Sequence, residues 1–163
     1  MADVKDLEPY SGNAEGLTAV LRDLKSTMPN QIVFKVTGYN TTAFENVTQG
    51  DALYSRASDG QVGKAIASSS LDQATVAGFA ETTKTAGQTV KVIVSGQIAV
   101  AQTLDPGDLF FLSPTQSGQI VKTPPSTSGQ YVTPIGEALA TNELIIRIKR
   151  PIEIGRASCR ERV

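Results

Sequence analysis

From Gln31 onward the chain alternates apolar with polar residues, and Gly, Pro, Asn, Asp or Ser soon interrupts every apolar run. The alternation is clear in Gln31 to Gly38, Gln88 to Val94 and Glu143 to Arg150. It has the period of strands that bury one face. Turn residues recur about every eight to twelve residues, as in small barrels and sandwiches. The sequence therefore predicts an all-β body, folded as a small β-barrel or β-sandwich.

The β body contains an internal repeat. The segments "GDALYSRASDGQVGKA" from Gly50 and "GDLFFLSPTQSGQIVKT" from Gly107 share the order turn, strand, loop, Gly-Gln, strand, and they start 57 residues apart. Further on, "VAGFA" from Val76 and "PIGEA" from Pro134 start 58 residues apart, so one insertion separates the two copies. We interpret this as a duplication, in which two half-barrels close on each other and bury their edges. The alternative is a chance recurrence of turn residues.

One amphipathic helix is predicted near the N-terminus, before the β body. Asn13 is suited to cap it and Pro29 ends the pattern. The helix either caps the open end of its own barrel or packs at an interface, against equivalent helices at a symmetry axis or against a capsid or tail. Its apolar residues form one stripe that is a candidate interface: Leu17, Val20, Leu21, Leu24 and Met28.

The chain's last residues differ from the rest. Ile154 to Val163, "IGRASCRERV", carries three Arg and the single Cys. It shows neither the periodicity of a strand nor that of a helix. Back-translated with suitable codons, it resembles a common sequencing adapter read in frame; a genuine basic tail is the alternative. We expect three parts: an arm and helix over 1–30, a β-barrel-like structural domain over 31–152, and a non-native read-through tail over 153–163.

Composition argues against several classes of function. The chain has no His and one Cys, Cys159, so imidazole-based nucleophile systems and the usual zinc sites lack their residues. A net charge of -1 gives no electrostatic footprint for nucleic acid or an anionic membrane. No apolar run approaches the roughly 20 residues of a spanning helix, and the first residues do not resemble a secretion signal. We expect a soluble, non-enzymatic protein with no cofactor, metal, nucleic-acid or membrane partner.

Few side chains are candidates for chemistry. Asp51 and Asp108 follow Gly in equivalent turns and would suit acid-base work or a metal ion if they faced each other. Gly-Asp before an apolar run is also common in the turn that precedes a strand, where Gly adopts a positive φ and Asp accepts a local hydrogen bond. We interpret both Asp residues in this way. Lys84, Lys91 and Lys122 would suit a modified carrier hairpin, but lone lysines on strands more often serve as solubilising charges.

The pair Phe110-Phe111 and the segment that follows are candidates for contacts. Adjacent strand residues point to opposite faces, so one ring should lie in the core and the other is a candidate contact with a neighbouring subunit. The Pro-rich stretch from Lys122 to Gln130 is predicted to form an ordered surface loop at the rim.

From Gly50 to Ile152 the chain resembles a family of small β-rich structural proteins of tailed bacteriophages. The resemblance lies in the order "TQGDALYSRASDGQVGKA", "AGFA", "AGQTVKVIVSGQIAV", "LDPGDLFFLSPTQSGQIVKTPPSTSGQYVTPIGEAL" and "ELIIRIKRPIEI". Similar patterns occur in capsid decoration and head-fibre proteins and in β modules of tail fibres. The likeness covers about two-thirds of the chain and includes no reactive residue.

The resemblance implies a virion protein that assembles as a homotrimer and packs against the major capsid or tail proteins of the same particle. Our first expectation is a non-enzymatic capsid decoration or head-fibre subunit. The alternative is a receptor-binding module of a tail fibre or baseplate that recognises a host surface glycan or protein. Glycan sites usually display aromatic side chains, and a chain with four Tyr, five Phe and no Trp modestly favours the first expectation.

Overall fold

A computed structural model describes residues 35–155, which are nearly all β. The prediction of an all-β body is therefore confirmed, while the predicted helix stripe from Leu17 to Met28 lies outside the described residues. Among residues 35–155, no helix has the length and apolar character needed to cross a membrane. The elements in chain order are β1 (Thr37–Thr42), β2 (Ala52–Ser55), β3 (Val62–Lys64), α1 (Leu71–Ala74), β4 (Val76–Ala80), β5 (Thr89–Ala99), β6 (Leu109–Leu112), β7 (Ile120–Val121), β8 (Tyr131–Val132), β9 (Pro134–Ala140), β10 (Glu143–Ile146) and β11 (Ile152–Glu153).

One antiparallel sheet dominates the described part of the chain and curls as a half-barrel. Its strands follow the order β3-β2-β4-β5-β10-β9-β6-β7, and β1 also pairs with β5. A separate two-stranded sheet joins β8 to β11. On one side of the central β5-β10 pair lie β4, β2 and β3, and on the other side lie β9, β6 and β7. These two sets of strands are equivalent, as a duplication predicts.

The strand registers show that the sequence repeat is also a structural repeat. Leu53 of β2 pairs with Gly78 of β4, and Phe110 of β6 pairs with Gly136 of β9. The register slips immediately after Leu53 in the first pair of strands and immediately after Phe110 in the second. Chance recurrence of turn residues would not reproduce both the register and the position of the bulge.

The two halves share one strand. β1 pairs with the beginning of β5, from Thr89 to Ser95, whereas β10 pairs with its end, from Gly96 to Ala99. β5 is therefore the last strand of the first half and the first strand of the second. Gly96 stands where the partner changes; its φ is +105°, and a Cβ there would lie 2.7 Å from the Cα of Val36, so glycine is required.

Each half has an apolar interior built from equivalent positions. In the first half it forms a small cluster of Ala43, Val47, Leu53, Val62, Ala80, Val90 and Val92. The second half uses the corresponding positions, among them Phe110, Ile120, Ala138 and Leu144. The outer face of the first half, opposite its own cluster, packs onto this second interior through Ala52, Tyr54, Val76, Phe79 and Ile93. The main core therefore lies between the two halves.

Two predicted strand boundaries are displaced. β1 begins at Thr37, near the end of the alternating segment from Gln31 to Gly38. β10 ends at Ile146, the last residue that pairs with β5, although the N–H groups of Arg147 and Lys149 still donate to carbonyls of the first two residues of β9. In both cases tertiary pairing, which alternation does not specify, sets the end of the strand.

Candidate functional site

The outer face of the second half carries an apolar groove of about 490 Å³. Its apolar wall consists of Leu109, Phe110, Phe111, Pro134 and Ile152, and its rim carries Arg147, Lys149 and Arg150. We call these residues the apolar groove. Leu109 is 61% exposed and Ile152 is 56% exposed, so large hydrophobic side chains meet solvent at both. Exposed apolar surface rimmed by polar groups is typical of an interaction site.

Alternation along β6 positions the aromatic residues of the groove. Phe110 points inward and is buried in the core, while Leu109 and Phe111 point outward. Gly136 lies opposite Phe110 on β9, and a Cβ there would lie 1.9 Å from the carbonyl oxygen of Ile145. The structure thus places Phe110 in the core and Phe111 half-buried on the opposite face, with both bordering the groove.

The equivalent face of the first half is buried. By register, the outer residues of the second half correspond to core residues of the first: Leu109 to Ala52, Phe111 to Tyr54, Pro134 to Val76, Glu137 to Phe79, and Ile145 to Ile93. The first-half face is covered by the second half of the same chain, but nothing within residues 35–155 covers the groove to the same extent. The same outer face therefore occurs in both halves, but within residues 35–155 only the face of the first half is fully covered.

The rim of the groove is positively charged. Arg147 lies 3.9 Å from Glu137, a separation and exposure at which an ion pair contributes little. Lys149 and Arg150 are exposed and form no ion pair within residues 35–155. The groove consequently combines an apolar wall with unneutralised cations, which suits an apolar partner surface that carries a carboxylate.

Asp51 and Asp108 lie in different environments. The buried carboxylate of Asp51 accepts from the N–H of Thr48 at 2.8 Å and from the side-chain amide of Gln119 at 3.2 Å. Asp108 forms a surface ion pair with Lys122 at 2.5 Å. The two carboxylates have no partner in common and do not form an acid-base pair. Asp51 instead connects its turn in the first half to the β6-β7 hairpin of the second.

Burial raises the pKa of Asp51, and the hydrogen bond from the Thr48 N–H opposes this shift. The increase reflects the cost of desolvating this carboxylate, whose oxygens accept hydrogen bonds from Thr48 and Gln119.

We expect Asp51→Ala to lower the free energy of unfolding by about 1–3 kcal/mol, because it leaves two part-buried donors, the Thr48 N–H and the Gln119 amide, without their acceptor. Asp108→Ala, the same change at the equivalent turn, removes a surface pair and should cost less than about 1 kcal/mol. Urea unfolding of both variants at one protein concentration measures the difference. Equal effects at the two positions would contradict the bridging role of Asp51.

The three lysines have surface or structural contacts. Lys91 pairs with Glu81 at 2.7 Å, and the hydrogen bond to Asp108 raises the pKa of Lys122. The backbone N–H groups of Val47 and Lys84 each donate to the other residue's carbonyl at 2.9 Å. Within residues 35–155, no group of three His, Cys, Asp or Glu side chains is placed to hold a metal ion.

A second, open groove of about 660 Å³ lies along the Pro-rich loop from Lys122 to Gln130. We call it the polar groove. Its lining includes Gln102, Thr103, Asp105, Thr115, Thr127 and Gln130. Gln102 donates to the carbonyl of Ile120 at 2.8 Å, so part of this lining is fixed by the β7 backbone.

The sequence alone did not single out the whole apolar groove. The alternation of strand residues predicts Phe110 and Phe111 as candidates, but it does not indicate Leu109, Ile152 or the rim cations. The signal in "ELIIRIKR" is three cations within four positions, which a strand pattern treats as an ordinary solvated face. Leu17, Val20, Leu21, Leu24 and Met28 lie outside the described residues.

In comparisons with known proteins, no family model matches the chain, and no curated protein matches it.

Proposed function

We propose that this protein is a non-enzymatic structural subunit of a tailed-bacteriophage virion, of the capsid decoration or head-fibre type. It works by associating with copies of itself, as a homotrimer, and by packing against the capsid or tail proteins of the particle. The observation that carries the proposal is the apolar groove, an exposed face whose equivalent in the first half is fully covered.

The energetics of association favour a partner at this face. Covering Leu109 and Ile152 would remove exposed apolar surface from water, which stabilises a complex at about 25 cal/mol per Å² before the costs of association. A stable interface needs about 800 Å² from each partner, so the groove would form the centre of a larger contact. Repetition around a symmetry axis gives each subunit two such contacts.

The proposal predicts that the full chain assembles in solution, with a mass about three times the 17.2 kDa of one chain. Leu109→Glu should shift the protein to monomers, because it places a carboxylate in the apolar wall. Multi-angle light scattering and sedimentation velocity over a range of concentrations measure both results.

The matched control is Leu139→Glu, the same change at a leucine that is 41% exposed on β9 but does not border the groove. It should leave the assembly intact, and circular dichroism should show that both variants fold. A wild-type chain that stays monomeric at every soluble concentration would overturn the proposal.

The assignment to a virion is tested by the genes that flank the coding sequence. A neighbouring major capsid or capsid protease gene supports a decoration subunit. Neighbouring tail genes support the second candidate function, and metabolic genes would contradict both.

The second candidate is a receptor-binding module of a tail fibre or baseplate. The polar groove supports it, because amides and hydroxyls such as Gln102, Thr103 and Thr127 are the groups that bind neutral sugars. Its exposed aromatic content is low, which weakens a glycan site. A glycan array probed with the full chain and with Gln130→Ala separates this candidate from the first.

A further inference from the structure

We infer that the apolar groove of one subunit binds a small protrusion on a neighbouring copy. The protrusion consists of Leu71 and Asp72, and we call it the knob. This inference rests on the proposed self-association and names the two surfaces that meet. The contact is head-to-tail: one subunit offers its groove, and the next offers its knob.

Asp72 supplies the charge complementarity. Every other carboxylate in residues 35–155 has a hydrogen bond, an ion pair or another polar or electrostatic interaction. The exposed carboxylate of Asp72 has none within that part of the chain. Lys149 and Arg150 on the groove rim are likewise unneutralised. A contact between these groups would pair an unmatched anion with unmatched cations.

Leu71 supplies the apolar part. It is 54% exposed, and it is next to Asp72 in the single turn of α1. Two side-chain hydrogen bonds close the turn: the Ser70 hydroxyl accepts from the N–H of Gln73 at 3.3 Å, and the Thr75 hydroxyl donates to the carbonyl of Leu71 at 2.6 Å. An exposed leucine on a fixed backbone loses little freedom when it binds, which reduces the cost of association. The knob therefore resembles the apolar groove in having an apolar surface beside a charged group. Its charge is negative, whereas the charges on the groove rim are positive.

The knob and the groove are close to each other on one subunit. The buried Thr133 hydroxyl donates to the carbonyl of Ala74, the last residue of α1, at 2.8 Å. Thr133 precedes Pro134, which borders the groove. Because a head-to-tail contact between neighbouring surface regions can close a small ring, this arrangement is compatible with the proposed trimer.

Charge reversal tests the contact in the full chain. Asp72→Arg should weaken self-association by at least about tenfold, because it places a cation against the cationic rim. Arg150→Asp should weaken it similarly. The combined variant should recover most of the affinity, since it restores opposite charges with their positions exchanged. Sedimentation velocity gives the association constants, and circular dichroism checks folding.

Asp105→Arg is the matched control, an equal change of charge at an exposed carboxylate outside the knob and the apolar groove. It should leave association within about twofold of wild type. If the wild type assembles and Leu109→Glu disrupts it, but Asp72→Arg behaves like Asp105→Arg, the knob is wrong and the proposed function stands. If both single reversals weaken assembly and the combined variant shows no recovery, the direct contact is also wrong. If the wild type does not assemble at all, both proposals fail.

Discussion

Gly136→Ala is expected to lower the free energy of unfolding by about 3 kcal/mol or more. The added Cβ would lie 1.9 Å from the carbonyl oxygen of Ile145, on the neighbouring strand. That atom belongs to the backbone, so it cannot move as a flexible side chain would, and relief requires separating β9 from β10. Urea unfolding at a fixed protein concentration measures the loss.

Gly60→Ala separates this steric effect from the ordinary cost of replacing a glycine. Gly60 has a φ of +72° and no atom within 4 Å of a Cβ placed there, so only backbone strain of about 1–2 kcal/mol applies. Gly78→Ala, at the equivalent position of the first half, should behave like Gly136→Ala, because its Cβ would lie 2.5 Å from the carbonyl oxygen of Ile93. A Gly136 variant no less stable than the Gly60 variant would refute the packing argument.

Phe79→Ala is the second change with a large expected effect, a loss of about 3–5 kcal/mol. Phe79 is fully buried in the core between the halves, and its removal would leave a cavity that the surrounding strands cannot fill. Thermal and urea unfolding at one protein concentration measure the change.

Glu137→Ala is the natural comparison, because Glu137 occupies the position of Phe79 in the second half. It lies on the outer face and makes a long ion pair with Arg147, so its loss should cost less than about 1 kcal/mol. Similar losses for the two variants would mean that the core does not lie between the halves as described.

Local chemistry made much of this fold predictable. Turn residues and alternation predicted an all-β body, and the spacings of Gly50 to Gly107 and Val76 to Pro134 predicted the duplication. Both signals depend on local requirements, such as the positive φ of Gly50 and Gly107 before a strand. Both halves contain the same turns, so both copies of the repeat carry the same turn residues.

The burial of each face could not be predicted in the same way. "ALY" and "LFF" are both apolar throughout, yet Ala52 is buried and the equivalent Leu109 is largely exposed. The difference arises because the second half packs on the first half's outer face, while no further unit within residues 35–155 covers the outer face of the second half. Which face is covered depends on contacts between distant segments, and alternation within one strand carries no information about them. The sequence therefore predicts only part of the candidate site, namely Phe110 and Phe111.

The shared strand β5 has a mechanical consequence. Modules joined by a linker pivot about it by default, but here the connection is itself a hydrogen-bonded member of both modules. Within residues 35–155, the two halves are therefore connected through a paired strand and not through a flexible linker. We expect the two halves to resist bending as one unit, because a load applied to the second half passes into the first through the backbone of β5 and its paired strands.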